Sequence, residues 1–113
     1  GKRVVCLDVD AHHGDGTQAA FYRRADVMTI SMHESGKTLF PWGGFEDEIG
    51  EGPGRGYNLN VPLPANTYDE AFVFAFERAV MPALEAAIGA EKPTMSETQP
   101  DRKPMLGWNA RVR

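Results

Sequence analysis

The chain opens on an apolar run, Val4-Val5-Cys6-Leu7, that passes without a break into Asp8-Val9-Asp10-Ala11-His12-His13-Gly14-Asp15-Gly16-Thr17. A run that is apolar on both alternating sets predicts a strand covered on both sides, as in a parallel sheet. Carried forward, the alternation puts Asp8, Asp10 and His12 on one face, with Val5, Leu7, Val9 and Ala11 on the other. Asp15 and Gln18 have the spacing of a capping box, and Ala19-Ala20-Phe21-Tyr22 continues it into a short helix closed by Arg23-Arg24-Ala25-Asp26. The next apolar run, Val27 to His33, alternates Val27, Thr29, Ser31 and His33 against Met28, Ile30 and Met32. Strand, short helix, strand predicts a βαβ unit with its two strands parallel.

Residues 34–56 hold seven glycines and no period, so they read as a long loop. Leu39-Phe40-Pro41-Trp42 gives that loop apolar bulk, which predicts an ordered loop shaping a site. Alternation returns in Tyr57-Asn58-Leu59-Asn60-Val61-Pro62-Leu63, a third strand ended by Pro62. Thr67 and Glu70 form a second capping box. From Ala71 to Ala87 the apolar positions recur at helical spacing, with Pro82 predicting a kink or the start of a second segment and Gly89 a C-terminal stop. After residue 90 the period is lost among Pro93, Pro100 and Pro104, and a mostly disordered tail is expected. The pattern thus predicts an α/β class with about three strands and two helices over 1–89, and an irregular tail over 90–113. A strand this apolar entered within three residues of Gly1 reads as an internal piece of a larger domain.

Composition narrows the possibilities. At 113 residues the chain is one domain at most, and a net charge of −4 makes no electrostatic case for nucleic acid or anionic membrane. Nothing in it is apolar for long enough to span a bilayer. The single cysteine, Cys6, lies in the first strand, reads as a small core residue and cannot form an internal disulfide, which points to a cytoplasmic compartment.

The chemistry concentrates at the end of the first strand, where open parallel sheets place their ligands. Carboxylates buried side by side are costly without a cation, and Asp oxygen with His nitrogen suits zinc or a similar ion. Asp10 and His12 are therefore the metal-ligand candidates, with a third ligand to come from elsewhere. Asp8 lies deeper on the same face. Asp15 reads either as a helix cap or as a group that orients a neighbour. His13 reads as a core histidine holding a backbone group.

These residues resemble the zinc-dependent histone deacetylase superfamily, which includes acetylpolyamine amidohydrolases and acetoin-utilisation-type deacetylases on an arginase-like three-layer α/β fold. DVDAHHGDGTQAAFY, VMTISMH and LFPWGGFEDEIGEGPGRGYNLNVPL carry the resemblance in order, and it covers residues 3 to about 86. It implies that Asp10 and His12 are two of three zinc ligands. Asp8 and Asp15 match carboxylates that hydrogen-bond a tandem histidine pair, and that pair is absent from this chain. Asp8, Asp10, His12, Ser31 and Met32 match one potassium site, and the carbonyls of Phe21, Arg24, Val27 and Tyr57 match a second monovalent-cation site. Phe40 matches a wall of the acyl-lysine tunnel. The implied substrate is an acetylated amine, hydrolysed by metal-activated water. The third zinc ligand and the oxyanion tyrosine have no match here, so the isolated chain is expected to be inactive and to hold zinc weakly. Two other readings compete: a non-catalytic truncated module that at most binds cations, and a manganese ureohydrolase, whose motif wants an aspartate where this chain has Gly14.

Overall fold

The computed structural model describes residues 2–89 and the backbone of 108–112. Among the described residues the strands and α-helices run in chain order as β1 (Arg3–Asp8), α1 (Asp15–Phe21), β2 (Val27–Glu34), β3 (Asn58–Leu63), α2 (Asp69–Ala75), α3 (Met81–Gly89) and β4 (Trp108–Val112). The strands form one parallel sheet in the order β3-β2-β1-β4. The α/β class and the parallel β1–β2 pair agree with the sequence pattern. The strand β4, which pairs with β1 from Arg3↔Trp108 to Leu7↔Val112, has no counterpart in that pattern. The expectation of an irregular tail otherwise falls on residues 90–107 and 113, outside the described residues.

The register decides what each face of the sheet carries. Cys6 sits beside Thr29, Asp8 beside Ser31, Thr29 beside Asn58 and Ser31 beside Asn60. Because side chains alternate, Cys6, Asp8, Thr29, Ser31, His33, Asn58 and Asn60 share one face, and Val5, Leu7, Ile30, Met32, Leu59 and Val61 share the other. The apolar face is closed by the helical segment 69–89. Val80 and Ala87 are buried with Val5, Leu7, Ile30 and Met32, and Phe72, Ala75, Phe76, Ala83 and Leu84 pack around them. The polar face is closed by α1 and by the loop after β2. Helix, sheet and helix therefore make three layers, with every strand of the β1–β2–β3 unit covered on both sides.

Three local expectations are corrected, those for the capping boxes, for Pro62 and for Cys6, while a second helical segment does begin beside Pro82, at Met81. Neither capping box forms. Gly14 is the N-cap of α1 and Tyr68 that of α2, both without a side-chain cap bond. Asp15 instead accepts from the Gly16 N–H at 2.9 Å, and Thr67 donates to the Pro64 carbonyl at 2.6 Å. Around Pro82 the chain has a π turn, Phe76–Val80, between α2 and α3, with the Met81 N–H bonded back to the Phe76 carbonyl. Proline lacks the N–H that would have met the Arg78 carbonyl, and a wider turn just before it accommodates the gap. Pro62 does not end β3 but lies within it opposite His33, tolerable because β3 borders the sheet among the described residues. Cys6 is half-buried rather than a core residue.

Candidate metal centre

The strand β1 stops at Asp8, so pleat alternation does not carry Asp10 and His12 to one side. Two successive side-chain turns do. The Asp8 Oδ1 accepts from the Asp10 N–H at 3.0 Å, and the Asp10 Oδ1 accepts from the His12 N–H at 2.8 Å. Aspartate readily closes such turns on the backbone two residues ahead. The result brings Asp10 Oδ1 and His12 Nδ1 to 3.2 Å of each other, both side chains more than half exposed at the strand's carboxyl end. Two donors at 2.0–2.1 Å from a tetrahedral zinc ion lie about 3.3 Å apart, so this pair fits one edge of such a site. Ligation needs Nδ1 without its proton; with it, the same two atoms form a hydrogen bond. Asp10 also lines an open cleft of about 390 Å³ with Val9, His33, Glu34, Leu63 and Phe72. Among the described residues no group of three His, Cys, Asp or Glu side chains converges. The pair offers two donors, where a catalytic zinc takes three protein ligands.

Asp8 is buried beneath this tip, whereas Asp15 is exposed on the first turn of α1. Ser31 lies next to Asp8 in the register and accepts from the Gly14 N–H at 3.3 Å. His33 Nε2 lies 2.8 Å from the Gly44 carbonyl, which can only accept, so Nε2 carries the proton. Its Nδ1 then accepts from the Ser31 hydroxyl at 2.8 Å. Burial pushes the His33 imidazole below its ordinary range, His13 adds to this, and the Gly44 bond, Asp8 and Glu48 only partly oppose it. His33 is thus neutral, with one tautomer selected by its two partners. Met32 is buried in the apolar core by its side chain, leaving only its carbonyl for a cation. In the second predicted cation site, the Phe21 carbonyl accepts from Arg24 N–H and the Tyr57 carbonyl from Thr29 N–H. The Arg24 side chain pairs with Asp26 and lies 5.5 Å from the centre of the Phe21 ring. Phe40 lies in the long loop and is 64% exposed.

His13 is buried, but it meets a side chain rather than the expected backbone group: its Nε2 lies 3.1 Å from the Gln18 Oε1. Gln18 belongs to a polar layer not singled out from the sequence. Its Oε1 also accepts from Asn58 Nδ2 at 2.9 Å and Asn60 Nδ2 at 2.8 Å, while its Nε2 donates to Glu48 Oε1 at 2.8 Å. Thr29 donates to Asn58 Oδ1. Burial works to raise the Glu48 carboxyl, yet the Phe45 N–H, the Gln18 amide and His13 together hold it below the usual carboxylate range. The available signal was period-two polarity, Thr29-Ser31-His33 and Asn58-Asn60, in strands that a parallel sheet buries on both faces.

The chain is similar to known proteins over this same region. The histone deacetylase domain family matches residues 1–88. A histone deacetylase-like amidohydrolase of Pseudomonas aeruginosa is 55% identical over 86 residues, covering 74% of this chain and 22% of the relative. The acetoin utilization protein AcuC of Bacillus subtilis is 51% identical over 77 residues, 68% of this chain and 20% of the relative. Among solved structures, a histone deacetylase homolog from Aquifex aeolicus aligns with TM-score 0.71 and 48% identity, over 74% of this chain and 23% of that one. An acetylpolyamine aminohydrolase from Burkholderia pseudomallei aligns with TM-score 0.71 and 40% identity, over 76% of this chain and 25% of that one. The chain thus spans about a fifth to a quarter of the length of these relatives. With a fold, a strand-end Asp–His pair and a family match that coincide over residues 1–88, this chain belongs to the histone deacetylase domain family.

Proposed function

We propose that the chain is a segment of a zinc-dependent deacetylase that hydrolyses an acetylated amine of the acetyl-lysine or acetylpolyamine type, in a cytoplasmic setting. The observation that supports this most is the 3.2 Å approach of Asp10 Oδ1 and His12 Nδ1 at the strand end. Asp10 and His12 would hold one edge of the ion, with the third donor from outside the described residues. Such an ion would supply Lewis acidity, polarising an acyl carbonyl and lowering the pKa of water toward about 7. Asp8 orients the Asp10 backbone through its 3.0 Å bond and anchors the turn from below. Asp8 and Asp15 would also steady the histidine pair that the family resemblance implies. The chain's own histidines are His12, His13 and His33.

Potassium is assigned to Asp8, Asp10, His12, Ser31 and Met32. The Ser31 oxygen has one donor and one acceptor role taken and a lone pair left to face a cation. A second monovalent ion is assigned to the carbonyls of Phe21, Arg24, Val27 and Tyr57. Carbonyls have two lone pairs, so the bonds at Phe21 and Tyr57 leave room for an ion.

The test has two arms. The 113-residue polypeptide is expected to bind zinc weakly in competition titrations, to lose that binding in His12→Ala, and to release no acetate from an acetyl-lysine peptide. The Pseudomonas aeruginosa relative, with residues 3–88 of this chain in place of its matched segment, is expected to turn over and to stop in Asp10→Asn and His12→Ala. A chimera that folds and stays active after His12→Ala overturns the reading.

A further inference from the structure

The loop after β2 presents two large rings to solvent, Phe40 at 64% and Trp42 at 62% exposed. Rings this exposed gain little from burial, so what places them is how the loop is held at its base. Two close approaches pinch that base. A Cβ on Gly36 would lie 2.5 Å from the Gly43 backbone, and one on Gly44 would lie 2.4 Å from the His13 ring and 2.7 Å from His33 Nε2. Beyond the pinch, residues 44–48 are tied to the polar face of the sheet. The carbonyl of Gly44 accepts from His33 and that of Glu48 from Asn58 at 2.6 Å, while the Phe45 N–H donates to Glu48 Oε2 at 2.6 Å. Gln18 joins this to α1 and β3, since its amide accepts from Asn58, Asn60 and His13 and donates to Glu48.

We propose that Gln18 and Glu48 form the centre of a polar clamp that sets the position of Phe40 and Trp42, making them positioning residues for an acylated side chain laid against those rings. The second half of this proposal rests on the deacetylase reading. Only an amide at position 18 both accepts from three donors and donates to Glu48. Gln18→Glu would set two carboxylates in contact. The double swap Gln18→Glu with Glu48→Gln would restore a bond between the two positions with its direction reversed. The amide introduced at position 48 would donate to the carboxylate introduced at position 18, and its oxygen would still accept from the Phe45 N–H.

The experiment is amide hydrogen exchange by NMR on the full 113-residue chain. Gln18→Glu is expected to speed exchange at Phe45 and its neighbours about tenfold, the loss of one charge-assisted hydrogen bond, while ladder amides of Leu7 and Ile30 keep their rates. The swap is expected to return the loop to near its original rates. If the single variant unfolds, recovery of a melting transition in the swap makes the same case. A swap no better than the single variant overturns the clamp. In parallel, an acetyl-lysine peptide is expected to shift the Trp42 indole N–H resonance in the original chain and the swap but not in Gln18→Glu. An intact exchange cycle with no indole shift in any of the three overturns the substrate half and counts against the deacetylase reading, leaving the clamp itself standing.

Discussion

The two faces of one sheet are buried by different means. Val5, Leu7, Ile30 and Met32 meet helices through contacts that have no preferred direction, so many side chains of similar volume would serve. Thr29, Ser31, His33, Asn58 and Asn60 are as deeply buried, but each side chain is committed to named partners at set angles. The first face supplies cohesion. The second supplies position, and it is the second that faces the loop bearing Phe40 and Trp42 and abuts the Asp8–His12 tip. A face that must aim its neighbours is built from groups whose interactions are directional, at the cost that each unpaired atom is expensive.

Breaking each face should therefore look different. On the apolar face, Ile30→Ala is expected to cost about 2–5 kcal/mol in urea unfolding and to speed exchange throughout the sheet. On the polar face, Asn58→Ala leaves the Thr29 hydroxyl and the Glu48 carbonyl short of a partner. It is expected to cost about 1–3 kcal/mol, with the fastest exchange confined to residues 44–48. Equal spreading of the effect in both variants would erase the distinction drawn between the faces.

Acid should find the polar face first. His33 binds its proton less readily when folded than its ordinary value of 6.5, chiefly because it is buried. Between those two values the unfolded chain holds more protons, so stability is complete above about pH 6.5 and falls as pH is lowered toward the folded value. Glu48, also held low, extends the loss at more acidic pH, where its carboxylate is protonated. Melting temperature is expected to drop as pH is lowered below about 6.5, and His33→Gln, which still donates to Gly44 and accepts from Ser31, is expected to flatten that drop. An unchanged slope would remove His33 from the account. The smallest effect belongs to neither face: Arg24 and Asp26 pair in the open, and Arg24→Ala is expected to leave the unfolding midpoint where it is.

Much of this was legible in the residues. The apolar runs located β1 and β2 and the helical stripe located the layer over Val5 and Ile30, because burial of a regular element imposes a period that any reader of the chain can count. The motif run pointed to Asp10 and His12, which do approach each other. Pleat alternation is not what does this, since β1 ends at Asp8 and two aspartate turns bring them together. Gln18 read as half of a capping box because spacing along the chain is all that a capping box requires. Besides His13 its partners are Asn58, Asn60 and Glu48, 30 to 42 residues away.

What the residues decide alone is which segments want to be strands and helices, and which carry groups able to bind a metal, since period and side-chain chemistry are local properties. Which polar group meets which is settled only when the register puts Asp8 beside Ser31 and Ser31 beside Asn60. Hydrogen bonds act over about 3 Å and select direction, so partners distant in the chain exist only once the sheet has assembled.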